Sequence, residues 1–115
     1  MLMEDPAATA AMICQKLPSK DGEASIRDFA KHSAQSFGNE LTHAGYKDIP
    51  VSYLFCEEDL AGPPAFQRDM IAIIEEASGQ EVDVTSIKAD HCPHLSAEKE
   101  TVEWALSVAK KAEES

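Results

Sequence analysis

Asp59 and His91 are the residues whose types and placement could do chemistry here. Each sits in a short polar loop just after an apolar run: CEED after IPVSYLF, and ADHCPH after VDVTSI. A carboxylate hydrogen-bonded to an imidazole fixes the ring's tautomer and stabilises its protonated form. The other ring nitrogen is then free to move protons near neutral pH. The two loops are one β-α-β unit apart, and neighbouring strands lie ~4.8 Å apart, so the side chains can meet. In open parallel sheets, functional groups collect outside the C-terminal ends of the strands, where both loops fall.

Other constellations carry less. Cys56, His91, Cys92 and His94 could be read as metal ligands, but the paired spacing of zinc sites is missing, and no metal is expected. Cys92 follows His91 directly, and neighbours on a tight loop rarely face each other, so it is a poor candidate nucleophile. Cys56 reads as core at a strand end. Glu58 is the fallback acid, and Glu57 a solvated loop charge. His32 and His94 read as surface groups, with His94 able to line the same cleft. Phe66, Met70 and Trp104 read as packing.

The elements that must position the pair can be read from apolar periodicity. Residues 49–56 are almost continuously apolar, as in a strand buried on both faces of a parallel sheet. Pro63 and Pro64 sit where a helix would begin. Phe66, Met70, Ile73, Ile74 and Ala77 form its stripe, and Ser78-Gly79 ends it. Val82, Val84 and Ile87 mark a second strand. Ser96 is expected to cap a last helix carrying Glu98 and Glu100 in its first turn and Val102, Trp104, Leu106 and Ala109 along it. This alternation implies a parallel sheet with a right-handed crossover.

The first third reads as helical. Asp5 can cap a helix with Pro6 at its first position and Ala10, Ile13 and Leu17 as its stripe. Residues 17–22 read as a turn. Ile26, Phe29, Ala30, Ser33 and Phe37 then lie at helical spacing up to Gly38-Asn39. The chain thus divides into a helical N-terminal segment, 1–45, acting as a cap-like or assembly element, and a βαβα unit, 46–115.

Composition bounds the function classes. The chain has 115 residues, 10 basic against 21 acidic, and a formal net charge of -11. Nucleic-acid affinity rests on clustered Lys and Arg, so nucleic acid is not an expected partner, and neither is an anionic membrane. No apolar run approaches the ~20 residues of a spanning helix. The opening MLMEDPAATAAMIC carries early acids rather than a basic leader. Three widely spaced cysteines suggest no disulfide framework, and a reducing, cytoplasmic setting is expected.

The segment IPVSYLFCEEDLAGPPAFQRDMI, followed by ADHCPHLS, resembles the α/β-hydrolase superfamily, in particular small fungal α/β-hydrolase-like proteins and the plant methylesterase and hydroxynitrile-lyase group. The family pattern is a "P-V-x-Y-L" strand, a "D-x-x-x-P" acid loop and a "D-H-x-P-x-L-S" histidine loop. Asp59 with Pro63 matches the second, and Asp90-His91-Cys92-Pro93-His94-Leu95-Ser96 the third. The resemblance covers about residues 33–112, with Ser33 to Gly38 a weaker match to the way out of the family's cap. It implies an α/β fold: a partial α/β-hydrolase-like parallel sheet flanked by helices, with Asp59 and His91 at the acid and histidine positions. It implies no cofactor.

One departure outweighs the match. The family order is Ser, then Asp or Glu, then His, with the serine in a G-x-S-x-G elbow. Gly22, Gly38, Gly45, Gly62 and Gly79 bracket no serine at that spacing. The oxyanion-hole loop and several strands would also lie upstream. An Asp–His pair without a nucleophile cannot run acyl-enzyme chemistry, and a partial sheet exposes an edge that must be covered. The expected partners are a small, fairly apolar metabolite and a second copy in a homodimer or larger assembly, or else a missing N-terminal half. The expected chemistry is Asp–His acid/base catalysis of the isomerase, cyclase or lyase type. The alternatives are a non-catalytic binding or assembly module, and a serine esterase with its nucleophile upstream.

Overall fold

The computed structural model describes residues 5–30 and 32–114. At its centre strands β1 (Ser52–Cys56) and β2 (Asp83–Ile87) pair in parallel, from Ser52 opposite Asp83 to Cys56 opposite Ile87. Parallel neighbours need a long crossover, and helix α3 (Pro64–Ser78) supplies it. Pro63 and Pro64 open α3, where a missing N–H costs nothing because the first helical N–H groups lack intrahelical partners. Gly79 ends it in the left-handed region, at φ 70°, which glycine adopts without a Cβ penalty. After β2 come the one-turn helix α4 (Pro93–Ser96) and the long helix α5 (Glu98–Glu114). This is the expected partial α/β fold.

Two helices precede the sheet: α1 (Pro6–Ile13) and α2 (Ser19–Arg27). Asp5 caps α1 as expected, its carboxylate accepting from Ala8 N–H at 3.1 Å. The two pack closely because Gly22 lies at their contact; a Cβ there would meet the Ala10 Cβ at 3.3 Å. Short 3₁₀ turns, Ala34–Phe37 and Gly45–Lys47, lead into β1.

The core is in two parts. Phe55, Ile71 and Val82 fill one beneath the sheet, with Val51, Tyr53 and Ile74 packed against it. Ala10, Cys14 and Ile26 of the N-terminal helices fill the other together with Cys92 of the histidine loop. The second core joins the first third of the chain to the α/β unit.

Several expectations are corrected. The first strand covers only 52–56 of the 49–56 run, and of its residues only Phe55 and Cys56 are buried. Residues 17–22 are not all turn: Pro18 is the N-cap of α2, and Gly22 lies inside it. The second helix stops at Arg27 and does not run on to Gly38. Phe29 and Phe37 are exposed, so the later periodicity does not contribute to a buried core; Lys31, in the same stretch, lies outside the described residues. Helix α3 buries Gln67 and Ile71, which turns Phe66 and Ile73 outward. On α5 the half-buried residues are Thr101, Trp104 and Val108, while Val102 and Leu106 are exposed. Ser96 does not cap α5; it closes α4, and its hydroxyl turns back to Asp90 at 2.6 Å.

Candidate active site

The parallel ladder continues past the strands into both loops. Glu57 N–H donates to Ile87 O at 2.9 Å, and Glu58 N–H donates to Ala89 O at 3.1 Å. Asp59 is the next residue on one side, and His91 follows two residues later on the other. Their meeting is therefore fixed by backbone pairing as well as by side-chain attraction.

Asp59 is almost fully buried, and its carboxylate acts as an acceptor in each of its hydrogen bonds. Its Oδ1 accepts from Ala61 N–H at 2.9 Å and Gly62 N–H at 2.8 Å. Its Oδ2 accepts from His91 Nδ1 at 2.9 Å. An ionised carboxylate only accepts, so Nδ1 carries the ring proton and Nε2 keeps its lone pair. The two side chains differ in exposure: that of His91 is 46% accessible and that of Asp59 8%. The carboxylate is shielded while the imidazole can be reached.

The acid loop is closed by residues that periodicity does not single out. Gln67 is buried on the first turns of α3; its Oε1 accepts from Cys56 N–H at 3.0 Å, and its amide donates to Cys56 O and Gly62 O, both at 2.8 Å. It thereby saturates the end of β1 and holds the loop around Asp59. Gly62 leaves room for the carboxylate, since a Cβ there would stand 3.3 Å from Asp59 Oδ2. A polar residue inside an amphipathic helix reads as solvent-exposed, so the sequence carries no signal for the burial of Gln67.

Asp90, part of the matched loop motif, is a second buried polar residue that the sequence reading did not place at the site. It has no solvent exposure. Its Oδ1 accepts from Cys92 N–H at 3.0 Å as well as from Ser96, and its Oδ2 accepts from Lys16 N–H at 3.1 Å. Glu58, the fallback acid, instead ion-pairs with Lys16, and His94 is exposed on α4.

The thiols are protected. Burial pushes the Cys92 thiol up to about 12, with Cys14 beside it adding to the effect. Burial also pushes Cys56 up to about 11, with Asp59 contributing. Nucleophilic cysteines need the thiolate, which such surroundings disfavour. Among the described residues, no three His, Cys, Asp or Glu side chains cluster as a metal site, and no helix is long and apolar enough to cross a membrane. A groove of about 530 Å³ lined by Pro50, Val51, Val108 and Ala112 lies at the opposite, N-terminal ends of the strands.

No family model matches the chain. It is 40% identical over 92 residues to a probable hydrolase of a Phoma species, a match covering 80% of this chain and 38% of that protein. It is 28% identical over 85 residues to an alpha/beta hydrolase of Aspergillus novofumigatus, covering 74% of this chain and 32% of that one. The chain therefore spans about a third to two-fifths of the length of these relatives. Over that shared part, with its parallel strands and paired acid and histidine loops, the chain is related to the fungal α/β-hydrolases.

Proposed function

We propose that this chain carries the acid–histidine half of an α/β-hydrolase-type catalytic site, with His91 as the proton-transfer group and Asp59 as its orienting partner. The observation that carries the reading is the 2.9 Å bond from His91 Nδ1 to a shielded Asp59. In this arrangement Nε2 takes a proton from a substrate O–H or C–H, or from water. The resulting imidazolium is stabilised by the carboxylate, and the proton is returned to a leaving or rearranging group. Leu60, beside Asp59, and Leu95, near His91, are exposed, which favours a small, fairly apolar substrate.

Two reaction types fit this pair. Alone, it supports proton transfer in isomerisation, cyclisation, elimination or hydration. The hydrolase names of both relatives favour a second reading. In that reading His91 activates a serine supplied by a segment outside these 115 residues, because no G-x-S-x-G elbow occurs within them.

Turnover of a small probe panel tests the proposal. The panel holds short-chain aryl esters and a benzisoxazole whose ring opens on removal of one proton. His91→Ala is expected to lower benzisoxazole turnover by about 100-fold, the lower end of acid/base contributions. Ester turnover with fluorophosphonate labelling would mark the serine reading. Turnover by wild type that His91→Ala leaves unchanged would remove His91 from the chemistry.

A further inference from the structure

The turn between α1 and α2 touches both loops of the pair, one residue away from each reacting group. On the histidine side it reaches the residues either side of His91: Lys16 N–H donates to Asp90 Oδ2 at 3.1 Å, and Cys14 buries Cys92 in the helical core. On the acid side it reaches the residue before Asp59: Gln15 Nε2 donates to Glu58 O, and Lys16 Nζ pairs with Glu58. Residues 14–16 therefore clamp positions 58, 90 and 92 across the open side of the two loops.

We propose that this turn is a brace that holds the Asp59–His91 bond in register, and that Asp90 is its positioning residue. The inference rests on the proposed role of the pair and gives the N-terminal helices a function in it. Asp90 is suited to the task because its two oxygens serve different elements. Oδ1 orders the histidine loop through Cys92 N–H and the Ser96 hydroxyl. Oδ2 alone reaches across to Lys16. The carboxylate has no solvent exposure, so it cannot exchange these partners for water. An unmade hydrogen bond at such a site is costly, and the loop and the turn are thereby held together.

Asp90→Asn separates the two functions. The amide oxygen keeps the Oδ1 bonds, while the NH₂ group faces the Lys16 N–H donor and cannot accept from it. Long-range ¹H–¹⁵N spectra of the His91 ring read the result without any substrate. In wild type the Nδ1–H signal is expected, with Nε2 unprotonated. In Asp90→Asn, exchange of Nδ1–H with solvent is expected to rise by about tenfold or more through local opening, with helical content retained. The double variant Gln15→Ala/Lys16→Ala, which removes the side-chain contacts to Glu58 and keeps the Lys16 N–H bond to Asp90, is expected to move the same signal less far, and it decides the matter should Asp90→Asn fail to fold. A His91 signal unmoved in Asp90→Asn, or in the double variant should Asp90→Asn not fold, overturns the brace while leaving the pair intact. A wild-type spectrum without Nδ1–H overturns the pair itself, and the brace with it.

Discussion

Asp59 holds its place by accepting three hydrogen bonds, two of them from the backbone of its own loop. The carboxylate is thus aimed before the histidine arrives, and small intrusions should matter. Gly62→Ala would set a methyl 3.3 Å from Asp59 Oδ2. The carboxylate must then yield by a few tenths of an ångström, and probe turnover should fall by about tenfold, since misplacement of catalytic groups is costly in rate. The variant should melt close to wild type; unchanged turnover would show that the carboxylate position is not critical. At this scale Asp59 and His91 were legible in the sequence because their loops follow recognisable apolar strands and carry a motif. Asp90 and Gln67 were not, because their partners are fixed by the fold. Lys16, which donates to Asp90, lies 74 residues away in sequence.

Strands and the crossover helix were legible because a continuous apolar run, a proline pair and a closing glycine are local signals. The N-terminal helices were legible only in part: their spacing continues past Arg27, but the helix ends there and leaves Phe29 and Phe37 exposed rather than in a core. What joins these helices to the α/β unit is a small core containing two thiols, Cys14 and Cys92. Burial raises Cys92 to about 12 and Cys56 to about 11, against an ordinary value of 9.0. Below about pH 9 both thiols are protonated whether folded or unfolded. Above it only the unfolded thiols ionise, so the unfolded state is favoured and stability falls until the folded values are reached. Each thiol should contribute up to about 1.4 kcal/mol of loss per pH unit in that window. Urea midpoints at about pH 8 and pH 10 should therefore differ, and Cys92→Ser should shrink the difference. Equal midpoints at both pH values would contradict the burial of these groups.

The whole molecule carries more surface than its mass calls for. Its accessible area is 8190 Å², against about 6,200 Å² for a compact 12.5 kDa protein. Its radius of gyration is 15.9 Å, against about 13 Å for a closed domain of this length. The excess of roughly 2,000 Å² is more than twice the ~800 Å² that each partner buries in a standard interface. The exposed apolar side chains Ile73, Val84, Val102 and Leu106 form part of it, and the two-stranded sheet leaves strand edges unpaired. Our proposal is that a second copy of this chain covers this surface, so sedimentation should report a mass of about twice 12.5 kDa or more. A stable 12.5 kDa monomer would contradict it.

One bond, from His91 Nδ1 to Asp59 Oδ2, underlies the proposed chemistry. Asp59→Asn tests it most directly, because the new carboxamide would keep its oxygen on Ala61 and Gly62 and turn its NH₂ toward the ring. Nδ1 would then have to accept, and the proton would move to Nε2. Side-chain ¹⁵N spectra of His91 at a pH where the ring is neutral should show Nδ1–H in wild type and Nε2–H in Asp59→Asn. The same tautomer in both proteins would contradict the account.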